Sequence, residues 1–276
     1  MGATAADIAK HPCFRPEASR TWARLHLPVA PRCNVQCNFC DRKFSCVSES
    51  RPGVSADVLS PEEALARVER ILSEDVPLSV VGIAGPGDAF ANPGPTLATL
   101  QLVHAAHPEL LLCLSTNGVG LLDWIDEIED VGVSHVTITV NAVDPETASR
   151  MYSWVRVGDR TYRGLEAGQI LVERQAAALA EAAKRPFLVK VNTVVVPGVN
   201  DGQVAAIARR VAELGADLHN CIAMIPVAST PFGNIAEPNA TRMLELRAEA
   251  GHHLPQMGHC SRCRADACGL LGQGCH

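Results

Sequence analysis

Three cysteines lie within eight residues near the start of the chain, and their types and spacing indicate chemistry. Cys33, Cys37 and Cys40 follow the pattern C-x3-C-x2-C. Three thiolates on one short loop can bind three irons of a cubane iron–sulfur cluster and leave the fourth iron without a protein ligand. A zinc site or a buried cysteine cluster is the alternative, but zinc usually takes four ligands and pairs of the C-x2-C type. The spacing therefore favours a [4Fe–4S] cluster with one iron open to a further ligand.

The other cysteines indicate further metal or cluster sites. The chain has eleven cysteines, which is too many for incidental core residues, and disulfides are rare in a reducing cytosol. Cys260 and Cys263 form a C-x2-C pair. This pair suits zinc as well as iron, because Cys268 and Cys275 could complete four thiolates. Cys221 lies inside a predicted strand, and we expect it in the core.

The composition excludes several classes of function. The formal net charge is −6, with 24 basic and 30 acidic residues, and aromatic residues make up 4% of the chain. No basic tract or aromatic stacking surface of the kind that binds nucleic acid is apparent. The first ten residues do not resemble a signal peptide, and no apolar stretch approaches the length of a membrane span. We therefore expect a soluble, cytoplasmic protein that binds neither nucleic acid nor a membrane.

Hydrophobic patterning predicts strands and helices in alternation. The predicted strands are 24–30, 79–84, 110–114, 134–140, 187–196 and 220–225, and the predicted helices are 60–72, 96–106, 121–131, 165–184, 201–214 and 238–252. Such alternation means parallel strands joined by right-handed crossovers, and six units fall short of a complete eightfold barrel. The sequence therefore predicts an α/β fold with a partial (β/α)6 barrel of the TIM type. We expect three regions: an N-terminal arm with a cluster ligand (1–22), the barrel (23–255) and a cysteine-rich C-terminal cap (256–276).

Polar and glycine-rich positions follow the predicted strands, where the active sites of such barrels lie. The candidate cofactor-binding residues at these strand ends are Gly85, Gly87, Asp88, Ser115, Asn117, Asn141, Asn192 and Met224. Ordinary turn chemistry explains any one of these elements alone, but their repetition at successive strand ends favours a binding site. Cys13, Cys46 and Cys113 also precede or follow predicted strands, so all three could face the same mouth of the barrel.

The cysteine spacing, with Phe39 directly before the last cysteine, resembles the cluster loop of the radical S-adenosylmethionine (SAM) enzymes. The resemblance implies that the three cysteines carry the catalytic [4Fe–4S] cluster and that SAM chelates its open iron. The SAM contacts it implies are the glycine-rich stretch 85–87 for the amino group, and Ser115 and Asn117 for the ribose or the carboxylate. The partial barrel is also the fold that this family implies.

Motifs along nearly the whole chain narrow the resemblance further. They are His-Pro-Cys at 11–13, Ala-Arg-Leu-His at 23–26, the cysteine loop at 33–40, Glu-Ser-Arg-Pro-Gly at 49–53, Ala-Gly-Pro-Gly-Asp at 84–88 and Cys-Arg-Ala-Asp-Ala at 263–267. Together they resemble the NifB family of radical SAM maturases, which build the iron–sulfur–carbide precursor of the nitrogenase cofactor. Many members carry an additional C-terminal domain that resembles a cofactor carrier, and we expect the stand-alone form here.

The NifB resemblance implies two further [4Fe–4S] clusters, bound as substrates and coupled into an eight-iron core. The implied ligands are Cys13, Cys46 and Cys113 for one cluster, and Cys260, Cys263 and His26 for the other. Which cluster His26 serves is left open, and a strand histidine satisfied by hydrogen bonds is the alternative interpretation. His11 has the same two interpretations. Glu49 and Arg51 are further catalytic candidates, as iron ligand or proton acceptor and as a balancing charge, unless they form only a loop ion pair.

The chemistry implied by the resemblance uses SAM twice. One SAM would donate its methyl group to a sulfide of a bound cluster, and a second would yield a 5′-deoxyadenosyl radical that removes hydrogen from that methyl group. The implied partners are SAM, iron–sulfur cluster donor and cofactor acceptor proteins of nitrogenase assembly, and an electron donor such as a ferredoxin. The alternatives are a radical SAM enzyme with auxiliary clusters that acts on a peptide, and a non-catalytic iron–sulfur scaffold.

Overall fold

The computed structural model describes residues 9–48, 50–51 and 53–271. Its strands form a seven-stranded sheet and a separate three-stranded sheet. The strands in this part of the chain are β1 (Ala23–His26), β2 (Val35–Cys37), β3 (Leu78–Ile83), β4 (Leu111–Thr116), β5 (Val133–Thr139), β6 (Tyr152–Val157), β7 (Arg160–Tyr162), β8 (Leu188–Val195), β9 (Leu218–Ala223) and β10 (Cys268–Gly269). The α-helices are α1 (Pro61–Ser73), α2 (Pro93–Ala106), α3 (Ile125–Asp130), α4 (Pro145–Met151), α5 (Gly164–Ala182), α6 (Val204–Glu213) and α7 (Ala240–Gly251).

The larger sheet has the strand order β10-β1-β3-β4-β5-β8-β9. Its strands pair in parallel except β10, which is antiparallel to β1 at the edge. The parallel strands lie across the sheet in the order in which they occur along the chain, and β2, β6 and β7 belong to the other sheet. Parallel neighbours joined through helices are the pattern of a β/α barrel. The predicted partial (β/α)6 barrel is therefore confirmed.

The core follows from the burial of both faces of the central strands. Every residue of β3 and of β5 is buried, as expected for parallel strands covered on both sides. Leu25, Leu114 and Ile138 are fully buried in one apolar cluster with residues of the surrounding helices. Cys221 is buried in β9, which confirms its predicted place in the core.

The element boundaries agree with the sequence where local signals are strong. Helix α1 has the predicted capping box: the Glu63 amide donates to Ser60 Oγ (3.2 Å), and the Ser60 amide donates to the Glu63 carboxylate (2.8 Å). Two predicted helices begin with a separate 3-10 turn, Leu121–Trp124 before α3 and Asp201–Gln203 before α6. These segments lack a side-chain cap that would start a regular helix.

A small antiparallel sheet, β2-β6-β7, holds the cysteine loop. The register pairs Cys37 with Tyr152, and the Asn38 amide donates to the carbonyl of Met151 (2.8 Å). This sheet was not predicted, because the three residues of β2 are too few to show a strand pattern.

The N-terminal arm and the C-terminal segment meet beside β1. Strand β10 pairs Cys268 with Leu25, and the His26 amide donates to the carbonyl of Ala267 (2.8 Å). The His259 ring contacts the carbonyl of Pro12 (3.0 Å), which joins the N-terminal arm to the C-terminal segment. None of the helices in the described ranges is long and apolar enough to cross a membrane.

Candidate active site

The cysteine loop follows β1, and an apolar cluster supports it. Cys33, Cys37 and Cys40 are each partly buried and pack against a cluster that includes Phe39 and Met224. Phe39 is 1% exposed, so the residue before the last cysteine anchors the loop in the interior. The Cys40 amide donates to the carbonyl of Cys37 (3.1 Å), which closes a turn between these two cysteines.

Two of these cysteines line a cavity, which we call the loop cavity. Its other lining residues come from β2, from the loop after Cys40, from the segments that follow β3 and β4, from the end of β5 and from the start of β6. They are Val35, Cys46, Ser48, Gly87, Asp88, Ser115, Thr116, Asn117, Thr139 and Tyr152. The predicted strand-end residues Gly87, Asp88, Ser115 and Asn117 therefore lie together beside the cysteines. Cys46 lines this cavity as well.

The carboxylate of Asp88 is occupied by the protein itself. It accepts hydrogen bonds from the amides of Asn117 (2.6 Å) and Phe90 (2.9 Å), and from Thr116 Oγ1 (3.0 Å). Burial raises the pKa of Asp88, and the hydrogen bonds oppose this shift. The Asn117 side chain likewise donates to Asn34 Oδ1 (2.6 Å) and accepts from the amide of Val119 (2.9 Å). Both side chains therefore fix the rim of the loop cavity.

Gly87 lies where the loop after β3 passes under the cysteine loop. A Cβ atom at this position would lie 2.0 Å from the carbonyl oxygen of Arg32. The Gly87 amide donates to the carbonyl of Ala30 (2.5 Å). Glycine is therefore required for the approach of two backbone segments. Gly85 adopts φ +112°, in the region that favours glycine.

Asn141 supports the wall of the loop cavity by holding Tyr152, which is not among the predicted site residues. Its Oδ1 accepts from the amide of Val194 (2.8 Å), and its Nδ2 donates to the hydroxyl of Tyr152 (2.8 Å). Tyr152 is 2% exposed and lines the loop cavity. A tyrosine in a segment without a recognised motif gives no sequence signal of this position.

A second cavity, the barrel cavity, lies next to the first and shares Ser48 and Ser115 with it. It collects four cysteines and two histidines from the N-terminal arm, β1, β4 and the C-terminal segment, namely His11, Cys13, His26, Cys113, Cys260 and Cys263. Asn192 and Ser115 line it too, and Ser48 and Ser115 line both cavities. Cys13 and Cys113 are thus together, as expected, whereas Cys46 lines the loop cavity.

Three cationic side chains line the barrel cavity, and no carboxylate is among its described lining residues. The cations are Arg24, Lys190 and Arg262. Arg24 and Lys190 are 4% and 7% exposed, and the Arg24 Nη2 donates to Cys263 Sγ (2.9 Å). Buried cations among thiols favour an anionic occupant, because opposite charges attract strongly in a site of low dielectric constant.

The two histidines of the barrel cavity differ in their hydrogen bonding. His26 Nδ1 lies 3.1 Å from the carbonyl of Arg264. Only a protonated Nδ1 can donate to a carbonyl, so Nε2 keeps its lone pair. His11 Nδ1 instead accepts from the amide of Cys13 (3.1 Å), and its buried Nε2 has no hydrogen-bond partner among the described residues. Burial and the charge of Arg24 lower the pKa of His26 to about 4.

The cysteine thiols of both cavities are protonated in the absence of iron. Burial raises the pKa of Cys13 to about 11 and the pKa of Cys33 to about 12, and it also raises those of Cys37 and Cys40. Iron binding at these thiols must therefore release protons. Within the described ranges, no three His, Cys, Asp or Glu side chains converge on one point as a single metal ion requires. A cubane takes one thiolate per iron, so separated thiols suit it.

The remaining predicted residues lie around this site or outside the described ranges. Arg51 is exposed, and its guanidinium donates to the carbonyl of Arg262 (2.8 Å). Glu49 and Cys275 lie outside the described residues. Cys268 is buried in β10. The contact of Arg51 connects the loop after Cys46 to the C-terminal segment that carries Cys260 and Cys263.

Comparisons with known proteins agree with this architecture. The sequence model of the radical SAM superfamily matches residues 27–211. The "FeMo cofactor biosynthesis protein NifB" of Chlorobaculum tepidum is 48% identical over 267 residues, which are 97% of this chain and 63% of the relative. The protein of the same name from Frankia alni is 48% identical over 277 residues, 98% of this chain and 54% of the relative. The resemblance to NifB is thereby confirmed, and the chain spans less than two thirds of the length of these relatives.

Among solved structures, methylornithine synthase (PylB) aligns with a TM-score of 0.50 at 15% identity, over 91% of this chain and 74% of that chain. At this identity the likeness concerns the fold alone. The sequence match extends over well over half of the 276 residues and includes the cysteine loop and the strand ends that line the loop cavity. The chain therefore belongs to the radical SAM superfamily.

Proposed function

We propose that this protein fuses two [4Fe–4S] clusters, with insertion of a carbide derived from SAM, into an eight-iron precursor of the nitrogenase cofactor. The observation that carries the proposal is the meeting of two cavities. One is lined by cysteines of the radical SAM loop, and the other by Cys13, Cys113, Cys260 and Cys263. A reaction between a radical formed in the first cavity and a cluster held in the second requires such contact.

The residues of the loop suit the cofactor of the superfamily. Cys33, Cys37 and Cys40 supply three thiol ligands on one loop that packs against an apolar cluster. Three thiolates suit a cubane whose fourth iron binds SAM. When bound there, the cluster supplies one-electron cleavage of SAM to a 5′-deoxyadenosyl radical. The buried Phe39 and Met224 exclude water beneath the loop, where a radical must be protected from side reactions.

The strand ends position the two cavities relative to each other. The network of Asp88 with Thr116 and Asn117 joins the loop after β3 to the end of β4. Ser115 and Ser48 lie at the boundary of the loop cavity and the barrel cavity. We assign to this boundary the transfer of the SAM-derived carbon, since no other described residues line both cavities.

The barrel cavity provides ligands for the two clusters that serve as substrate. Its four cysteines and His26 offer sulfur and nitrogen donors, and Arg24 and Lys190 offset the negative charge that thiolate-bound clusters carry. Cys46 would add a ligand from the loop cavity. The hydrogen bond from His26 Nδ1 to the carbonyl of Arg264 is typical of metal-bound histidines, which donate their other ring N–H to a carbonyl or carboxylate.

Similarity to NifB supports the substrate and the partners in this proposal. The two relatives are named as proteins of FeMo cofactor biosynthesis. We propose that this chain receives iron–sulfur clusters from a donor protein and passes its product to an acceptor protein. Its electrons would come from a low-potential donor such as a ferredoxin. Glu49 and Arg51 are proposed at the loop after Cys46 as proton acceptor or iron ligand and as balancing charge.

The test uses anaerobically reconstituted protein, dithionite and SAM labelled with 13C in its methyl group. The proposal predicts about twelve irons per chain when three cubanes are bound. It also predicts 5′-deoxyadenosine and a released cluster in which the 13C nucleus is magnetically coupled to iron. Saturation near four irons would leave a radical SAM enzyme acting on another substrate. Full iron loading without formation of 5′-deoxyadenosine would indicate a scaffold.

A further inference from the structure

Tyr152 lines the loop cavity beside the cysteine loop. Tyr152 opens β6 and is the register partner of Cys37 on the antiparallel strand β2. The register shifts between Gln36 and Cys37, and this shift brings Cys37 opposite Tyr152. Both residues line the loop cavity. The phenol is therefore next to the thiol that is proposed to bind the cluster.

Hydrogen bonds fix the orientation of the phenol. The Val194 amide donates to Asn141 Oδ1 (2.8 Å), so this oxygen cannot face the phenol and Asn141 Nδ2 must do so. The Tyr152 oxygen is thus an acceptor from Asn141, and its own proton points elsewhere. No described residue accepts that proton. A buried hydroxyl normally finds an acceptor, so the orientation indicates one inside the cavity.

The chemistry of the cavity limits what this acceptor can be. Hydroxyl and carboxylate oxygens also line it, but the residue paired with Tyr152 is Cys37, and Cys33 and Cys46 line the cavity as well. Thiolate or cluster sulfur is therefore the acceptor nearest to the phenol when a cluster is bound. A phenol carries its proton at neutral pH, so Tyr152 remains a donor.

We propose, on the basis of the cofactor assignment in the proposed function, that Tyr152 donates a hydrogen bond to a sulfur of the [4Fe–4S] cluster bound by Cys33, Cys37 and Cys40. The sulfur is the Cys37 thiolate or the cluster sulfide next to it. Such a hydrogen bond stabilises the reduced cluster, in which sulfur carries more negative charge, and raises the reduction potential. Tyr152 therefore sets how readily the cluster is reduced before SAM is cleaved.

The first test is the midpoint potential of Tyr152→Phe, measured without SAM by redox titration of the electron paramagnetic resonance signal of the reduced cluster. SAM is added to the fully reduced sample at the end of the titration, and the signal that changes belongs to the cluster that binds SAM. The potential should become more negative than that of the unaltered protein. The matched control is Tyr162→Phe, because the chain has two tyrosines and Tyr162 lies in β7 on no wall of the loop cavity. Its potential should not change.

A second measurement keeps the tyrosine ring at position 152 and should shift the midpoint potential in the opposite direction. In a Tyr162→Phe background, biosynthetic incorporation of 3-fluorotyrosine labels Tyr152 alone. The more acidic phenol donates a stronger hydrogen bond, so the potential should rise. An unchanged potential in both Tyr152 samples overturns the inference and leaves Tyr152 as a core residue held by Asn141. Unaltered protein that assembles no SAM-responsive cluster overturns the proposed function together with this inference.

Discussion

The guanidinium of Arg24 and the thiol of Cys263 form a contact between the two ends of the fold. The Nη2 atom of Arg24 lies 2.9 Å from Cys263 Sγ, although 239 positions separate the residues in sequence. The Nη1 atom donates to the carbonyls of Gly269 and Leu270. One buried side chain of β1 thus anchors the C-terminal segment and directs positive charge at a proposed iron ligand.

Replacing Arg24 with methionine should weaken iron binding in the barrel cavity by roughly tenfold or more, as changes in residues that orient metal ligands do. The cause is the loss of a charge-assisted hydrogen bond that stabilises the Cys263 thiolate. Iron retained after gel filtration measures the effect. Arg247→Met is the matched control, because Arg247 also contacts a carbonyl, that of Cys221 (2.9 Å), but lines neither cavity. Equal iron loss in both variants would contradict the role of Arg24.

Alanine at Cys33, Cys37 and Cys40 together should reduce formation of 5′-deoxyadenosine to the level without protein. These thiols are the donors proposed for the SAM-binding cluster, whereas the cysteines of the barrel cavity are separate. The variant should therefore keep part of its iron. Cys221→Ala is the control, since Cys221 is buried in β9 away from both cavities. The assignment is wrong if the triple variant still cleaves SAM.

The sequence allowed the parallel barrel to be predicted because its signals are local. Apolar runs such as 134–140 and the capping box of Ser60 and Glu63 specify elements without distant contacts. The cysteine spacing also indicated the cofactor loop. The strand ends followed from topology, because carboxyl ends of parallel strands meet at one edge.

Side-chain roles that depend on distant contacts could not be predicted. The position of Asp88 after a strand marks it as a candidate, but its hydrogen bonds with Thr116 and the Asn117 amide come from a different strand end and have no local signal. The position of Tyr152 depends on the pairing of β2 with β6, for which three residues of β2 give no periodic pattern. The contact of Arg24 with Cys263 likewise depends on the edge pairing of β10.

Alanine at Gly87 should lower the free energy of unfolding by about 1–3 kcal/mol or more, the range for inserting atoms into a packed region. The added Cβ would lie 2.0 Å from the carbonyl oxygen of Arg32, so one of the two loops must move. Urea unfolding monitored by circular dichroism measures the change. Gly202→Ala is the control, because a Cβ there meets no atom within 4 Å. Equal stability of both variants would show that the loops separate at no cost.

Stability should fall with acidification because His219 is buried in its neutral form. Burial lowers its pKa from 6.5 to about 4, and its Nε2 donates to Thr193 Oγ1 (2.9 Å). The unfolded chain takes up a proton below pH 6.5 while the folded protein does not, so stability is lost as pH falls from about 6.5 to 4. His219 accounts for up to about 3 kcal/mol of this loss. Urea titrations at several pH values should show a shallower dependence in His219→Gln, and an unchanged slope would contradict this origin.

The nitrogen ligand of the substrate clusters is predicted to be His26. Its Nδ1 donates to the carbonyl of Arg264, so Nε2 can bind iron, and its lowered pKa keeps the ring neutral near pH 7. His11 faces the same cavity, but its Nδ1 accepts from the Cys13 amide, which places the proton on Nε2. Pulsed electron paramagnetic resonance of the loaded protein should detect a nitrogen coupled to a reduced cluster. His26→Ala should abolish this coupling and preserve SAM cleavage, while His219→Gln should leave it intact. Persistence of the coupling in His26→Ala with its loss in His11→Ala would assign the ligand to His11, and stoichiometric zinc at Cys260 and Cys263 would make the C-terminal segment structural.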